Sequence, residues 1–247
     1  MTESLHALLD EYHSGHSVRA YEYLGVHPME KDGTAGWVFR VWAPGAEAVS
    51  VVGDFNFWNP ADLPMEELSH GVWQAWSANP AEGQAYKYLV RHWSGRTVWK
   101  ADPMAVRTCE DTSSMIAQIP SYSWHDRDYM ARVTDPLRRP VNIYQVDLAC
   151  WERQAGGALC SYQELGLKLA AYLKAMGYTH AELLPLCRHG YDEERGFLIS
   201  EYFAPDSRCG GAEGIMELVD TLHEAGIGVL LDWSPVHFLK NEHGLIS

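Results

Sequence analysis

The chain has no apolar run near the ~20 residues needed to cross a bilayer, and it is poor in positive charge. Lys and Arg number 19 against 33 Asp and Glu, for a net charge of -14. Such a balance argues against a nucleic-acid backbone or an anionic membrane as the main partner. A cleavable leader is also missing from the opening "MTESLHALLDEYHSGH". Charges interrupt its apolar positions, so residues 1–20 read as a short amphipathic helix and flank. No CxxC occurs among Cys109, Cys150, Cys160, Cys187 and Cys209. An odd set without metal or redox spacing reads as the reduced thiols of a cytoplasmic protein.

What the chain does have is aromatics, with 10 Trp and 13 Tyr in 247 residues. Large rings fill cores, and their flat faces also stack on sugar rings. Composition leaves both uses open.

From residue 21 to 120 the pattern is all-β. "WVFRVWA" (37–43), "AVSVVG" (48–53), "VWQAW" (72–76) and "AYKYLVRH" (85–92) are short and Val- or aromatic-rich. Gly, Pro, Asn and Asp clusters separate them, as in a small antiparallel sandwich. Residues 121–141, charged and with two prolines just after Pro120, read as a linker lying across a surface.

From residue 142 to 247 the period changes. "NIYQVDL" (142–148), "HAELLP" (180–185) and "IGVLLDWS" (227–234) read as buried strands. Two helices alternate with them. The first, 161–177, opens on a capping box of Ser161 and Glu164 and ends at Gly177. Its expected apolar face is Leu165, Leu169, Tyr172, Leu173 and Met176. The second spans 212–226. Strand, helix, strand, helix, strand predicts parallel β/α units, three of the eight a closed barrel needs.

In such folds the chemistry gathers at the carboxyl ends of the strands. "DLACW" follows the first strand and "DWSPVHF" the third. A long loop with Tyr191, Asp192, Glu193, Glu194, Phe197, Tyr202 and Phe203 follows the second. Acids beside aromatics suit a sugar cleft, and they equally suit a solvated loop. Asp232 and His237, five apart, fit either a site edge or a structural Asp with a partly buried His.

In order along the chain, "YLGVHP", "FRVWAPGAEAVSVVGDFNFW", "YKYLV" and "KADPMA" resemble the β-sandwich carbohydrate-binding module of bacterial 1,4-α-glucan (glycogen) branching enzymes. "SYQEL", "YLKAMGYTHAELLPL", "EYFAPDSRCG", "AGIGVLLDW" and "NEHGL" resemble the opening of their (β/α)₈ barrel, of the α-amylase superfamily. The resemblance implies an immunoglobulin-like sandwich followed by the first three units of an incomplete barrel. It implies an α-glucan ligand, glycogen or amylose, and no metal or organic cofactor. Trp58, Trp93 and Trp99 become sugar-stacking candidates of the module. Asp232 then supports the barrel site and His237 hydrogen-bonds a sugar hydroxyl, with Phe197 and Tyr202 on the same substrate side.

The sugar-facing positions depart from the family pattern. The family's Ser-Trp-Gly-Tyr-Gln stands here as Glu194, Arg195, Gly196, Phe197 and Leu198. Phe197 keeps a flat ring without the hydroxyl. His-Leu-Gly-Ser-Trp stands as Asp147, Leu148, Ala149, Cys150 and Trp151, and Val236 replaces a small residue. Retaining glycoside chemistry needs two carboxyl groups across the scissile bond, ~5 Å apart. By resemblance the nucleophile and the acid/base lie after the fourth and fifth strands, beyond Ser247, so no complete catalytic set is expected. Asp192 with Glu193 or Glu194 is a poor substitute, since neighbours in one loop do not face each other across a sugar. Three readings follow: a glucan-binding protein, an enzyme complemented by a chain supplying the missing strands, or a gene remnant. An open barrel edge further predicts self-association.

Overall fold

The computed structural model describes residues 4–109, 112–133, 139–189, 197–236, 238–240 and 242–244. Two compact units divide the chain. The first takes in Met1–Gln118, Glu201–Phe203 and Lys240–Ser247, and the second Ile119–Ser200 and Ala204–Leu239.

The first unit opens with helix α1 (Leu5–His13). Eight strands follow: β1 (Gly25–Lys31), β2 (Thr34–Trp42), β3 (Ala46–Gly53), β4 (Glu66–Ser69), β5 (Val72–Ser77), β6 (Ala85–His92), β7 (Thr97–Lys100) and β8 (Ser114–Met115). One sheet has the order β1-β2-β5-β4. The other runs β3-β6-β7, with β8 also paired to β6. Every pairing is antiparallel. Local chemistry sets the hairpins. Between β1 and β2, Asp32 and Gly33 both have positive φ, 50° and 76°. That is the requirement of a two-residue turn matched to strand twist. Phe39 and Val41 of β2, Val49 and Val51 of β3, Ala75 of β5 and Tyr86, Tyr88 and Val90 of β6 share one apolar core. Alternate residues of both sheets therefore point at one another, the arrangement the period-two pattern requires.

One acid lies in that core. Asp102 is 1% exposed and accepts hydrogen bonds from the hydroxyls of Tyr86 (2.6 Å) and Tyr88 (3.1 Å) and from the Met104 amide (2.9 Å). Burial raises its pKa against the opposing pull of these bonds. Burial, then the Asp102 charge, pushes both tyrosines well above the usual phenol range.

The second unit contains α2 (Arg127–Arg132), β9 (Ile143–Val146), α3 (Leu148–Trp151), α4 (Tyr162–Met176), β10 (His180–Leu183), β11 (Cys187–His189), both ends of β12 (Ile199–Pro205), α5 (Gly211–Glu224) and β13 (Gly228–Leu231). Strands β13, β10 and β9 form a parallel sheet with β10 in the middle. Helix α4 carries its capping box. The Ser161 hydroxyl accepts from the Glu164 amide at 3.2 Å, and the Glu164 carboxylate accepts from the Ser161 amide at 3.0 Å. Gly177 closes the helix at φ 78°.

The buried face of α4 differs from the expected one. Tyr162, Leu165, Gly166, Leu169, Ala170 and Leu173 are buried, whereas Tyr172 and Met176 are 37% and 58% exposed. The cause is α5, which approaches so closely that a Cβ on Gly166 would lie 3.3 Å from the Leu218 Cα. Small residues at 166 and 170 admit that approach and rotate the buried stripe away from Tyr172. Part of the long segment after β10 also takes regular form, with β11 paired to β12.

The 121–141 stretch carries α2, and side chains on α5 hold its residues 122–129. Buried Asp220 accepts from the Tyr122 hydroxyl (2.9 Å), the His125 amide (2.9 Å) and His125 Nδ1 (2.8 Å). His223 meets Asp126 at 2.7 Å, and its ring stacks on Tyr129 with centroids 4.3 Å apart. Burial works to raise the Asp220 carboxyl, but the His125 bonds outweigh it and hold the group below its usual 3.8. The same bond, then the Asp220 charge, raises exposed His125 above its usual 6.5. Burial and the Asp220 bond push Tyr122 up to about 12.

The sign of the linkage follows. A lowered acid contributes stability above its ordinary pKa, and the contribution is lost as pH falls through the folded value. A raised histidine contributes below its ordinary pKa, and that is lost as pH rises through the folded value. The His125–Asp220 clamp is therefore strongest between about pH 4 and 6.5. The melting-temperature difference between the native chain and His125→Gln should peak in that window and shrink by pH 9. A difference that stays constant across the range would refute the charge coupling.

Candidate functional site

Two surfaces collect the residues that the sequence singles out. The first lies on β3-β6-β7 and the turn after β3. Asn56, buried in that turn, accepts from the Gly53 amide (2.9 Å) and donates to the Val51 carbonyl (3.0 Å). The turn then places Phe57 and Trp58 in the left-handed region, with φ 52° and 60°. That conformation costs a non-glycine residue roughly 1–2 kcal/mol and persists only where surroundings enforce it. Here Asp54 enforces it, since its carboxylate accepts from the Trp58 indole N–H (3.1 Å) and from the Ala85 amide (2.9 Å).

The held Trp58 ring lies 6.2 Å from that of Trp99, at an interplanar angle of 40°. Trp99 pairs across the ladder with Leu89, and Lys87 is two residues from Leu89. All three therefore share the sheet face opposite the Tyr86–Tyr88 core side. Lys87 is nonetheless only 7% exposed. Nothing in the sequence distinguishes Lys87 from a solvated strand lysine. Trp93 is in the turn between β6 and β7 and is 75% exposed, so the structure joins Trp58 with Trp99 in ring contact. Phe57, 92% exposed, extends the apolar surface of the turn.

The second surface is the set of carboxyl ends of β9, β10 and β13. Backbone bonds hold these ends in line: the Leu184 amide donates to the Val146 carbonyl (3.0 Å) and the Asp232 amide to the Leu183 carbonyl (2.8 Å). Phe238 bridges Ile199 in parallel, which brings the chain after Asp232 alongside the segment opened by Phe197. Phe197 is 36% exposed and Asp232 half-buried. Tyr202, half-buried, falls in the first unit. His237, Tyr191, Asp192, Glu193 and Glu194 lie outside the described residues.

Two other acids at these ends are engaged. The Asp147 carboxylate accepts from the Ala149 amide (3.0 Å), capping α3. Asp206 accepts from Arg208 Nε (3.0 Å) and faces Arg188 at 3.9 Å. Burial tends to raise its carboxyl, and the arginines hold it below the usual range. A cavity of about 50 Å³ lies between them, lined in part by Asp147, His189 and Asp206. At ~30 Å³ per water it is too small for a sugar ring. Burial raises the Cys187 thiol and pushes Cys209 up to about 11, so neither is poised as a thiolate. Among the described residues no cluster of His, Cys, Asp and Glu could hold a metal ion, and no helix is long and apolar enough to cross a membrane.

Comparison with known proteins shows what these surfaces are similar to. Residues 23–105 match carbohydrate-binding module 48, described as the isoamylase N-terminal domain. The 1,4-alpha-glucan branching enzyme GlgB of Nitrosomonas eutropha is 42% identical over 240 residues, which is 95% of this chain and 33% of that protein. Its counterpart in Gloeobacter violaceus is 41% identical over 239 residues, 94% of this chain and 33% of that one. Among solved structures, a pullulanase from Bacillus acidopullulyticus superposes with a TM-score of 0.63 at 22% identity, over 90% of this chain and 31% of its own. A putative alpha amylase from Salmonella typhimurium gives 0.61 at 20%, over 87% and 34%. These two likenesses establish the fold alone. The chain spans about one third of the length of the curated relatives it matches. The aromatic face lies inside the matched module, and the identity continues through the parallel sheet, so nearly the whole chain is similar to the N-terminal part of the GlgB branching enzymes.

Proposed function

We propose that this chain binds an α-1,4-glucan, glycogen or amylose, on the face of β3-β6-β7, with Trp58 and Trp99 stacking on successive sugars and Trp93 at its edge. The observation that carries the reading is the strained, buttressed turn that holds an indole beside a second indole on an exposed sheet face. A 40° angle between the rings suits a curved ligand better than a flat one. Retarded migration of the chain in a glycogen-containing native gel, relative to a plain gel, is expected. Unretarded migration would refute the reading.

The domain division proposed with it is an N-terminal helix (1–20), an immunoglobulin-like module (21–120), a linker (121–141) and part of an α-amylase-type barrel (142–247). Asp232 and His237, with Phe197 and Tyr202, then stand on the substrate side of that barrel. In a complete branching enzyme a glucan segment would pass through a covalent glycosyl-enzyme to a 6-hydroxyl, without cofactor. The five free cysteines support a cytoplasmic setting.

One observation favours a further partner. Helices α4 and α5 cover one face of the parallel sheet through Val146, Ala181 and Leu183. On the other face Ile143 and Leu230 are 43% and 41% exposed, and beyond β13 Trp233 is 62% exposed. This face carries Ile143 and Leu230 beside the polar pair Gln145 and Glu182, and its exposed apolar residues and open strand edges favour association, with a second copy or with a chain that supplies further strands. Light scattering of the purified chain should therefore show multimers or strong binding of an apolar dye. A clean monomer that binds no dye would contradict this.

A further inference from the structure

At the amino ends of β9, β10 and β13, opposite to Asp232, lies a cavity of about 220 Å³. Arg132 and Val133 at the end of α2, Arg139 to Val141 before β9, Thr179 and His180 at the start of β10, and Gly226 before β13 line it with Tyr129. Its charge is the reverse of the chain's. The protein carries 33 acids against 19 bases, yet among the described residues this lining holds two arginines, one histidine and no acid. The Arg132 Nε donates to the Asp128 carbonyl at 2.9 Å. Neither guanidinium is paired with a carboxylate among the described residues. Two such groups on one cavity wall repel each other unless an anion lies between them.

The remaining walls are built. The Thr179 hydroxyl donates to the Asn142 carbonyl (3.0 Å) and accepts from the Asn142 amide (2.8 Å). With its proton so used, it accepts from His180 Nδ1 at 2.8 Å. Nδ1 therefore carries the proton, and Nε2 is the nitrogen left for other partners. Nε2 and the Tyr129 hydroxyl lie 2.7 and 2.8 Å from the point where a Cβ on Gly228 would stand. Only glycine leaves room there for both groups. Val133, Pro140 and Val141 add an apolar side. At ~30 Å³ per water the volume equals about seven waters, below the range of drug-sized pockets.

We infer that this cavity binds a small phosphomonoester, its phosphate between Arg132 and Arg139 and its carbon skeleton against Val133 and Val141. Guanidinium forks match phosphate oxygens in pairs, and the apolar side rewards an organic ester over the free ion. The inference does not depend on the glucan reading, since it concerns other residues in the other unit.

The test is a titration of the 247-residue chain, followed by calorimetry and by the amide resonances of Thr179 and Gly226. The probes are inorganic phosphate, glucose 6-phosphate and neutral glucose. Saturable binding of glucose 6-phosphate at ~1 mM or tighter is expected, with inorganic phosphate weaker and glucose without effect. Arg132→Gln and Arg139→Gln should each weaken it about tenfold. Arg127→Gln, on the same helix but outside the lining, should leave it unchanged. Each variant's melting temperature without ligand separates a lost site from a lost fold. Equal affinity for phosphate and its ester would remove the organic part of the proposal. No saturation, or affinity unchanged in the double arginine variant that melts normally, would overturn it.

Discussion

Incubated with amylose, the 247-residue chain is expected to form no α-1,6 branches, at a rate at least ~10⁴-fold below that of a complete retaining enzyme. The reason lies in the carboxylates present. Retaining chemistry requires two carboxyl groups ~5–5.5 Å apart, one attacking carbon and the other handling the proton. Of the three acids described at the strand ends, Asp147 caps a helix and Asp206 is held ionised by arginine. Among the described residues, Asp232 alone of the three has a carboxylate outside any hydrogen bond or ion pair. An acid held ionised cannot deliver a proton, and one capping an amide is not aimed at an anomeric carbon. The assay is the iodine absorbance of amylose together with a count of new α-1,6 linkages. A fall in colour with new branches, abolished by Asp232→Ala, would show that another carboxylate pair does the chemistry.

Replacing both Trp58 and Trp99 by alanine is expected to weaken glycogen binding by one to two orders of magnitude. Each stacked ring contributes roughly 0.5–1.5 kcal/mol, taking aromatic pairs as the guide, or about 2- to 13-fold in affinity. The two rings touch each other, so the double variant should not equal the product of the singles. Removing Trp58 also deprives Trp99 of its neighbour, and a larger first loss than second is expected. Trp93→Ala should cost less, because its ring stands apart in the hairpin turn. Trp124→Ala, 48% exposed in the second unit, is the control and should bind as the native chain does. Affinity electrophoresis across glycogen concentrations gives the constant of each variant and of the native chain. Unchanged retardation of the double variant would move the glucan site elsewhere.

Much of this molecule was legible before any coordinates, and the legible part shares one property: its determinants lie within a few residues of each other. Ser161 and Glu164 cap α4 because their partners are three positions away, and Gly177 ends it because only αL geometry is needed there. The Val-rich alternation of β3 and β6 likewise needs no distant partner to be read. By the same logic the family resemblance rested on short strings in order. Tertiary structure decided whatever depends on two segments meeting. Trp58 and Trp99 are 41 positions apart and meet only because β7 pairs with β6 in one register. Lys87 is buried with nothing local in the sequence to mark it. Tyr172 and Met176 left the expected core because α5 approaches α4 at Gly166, a distance no helical period encodes. Residues 122–129 became a held segment because Asp220 and His223, almost a hundred residues on, bond to them. The two arginines of the amino-end cavity stand seven residues apart, and only the fold places them on one wall with His180. Local free energies follow from neighbours along the chain, whereas convergence depends on how strands register and helices pack.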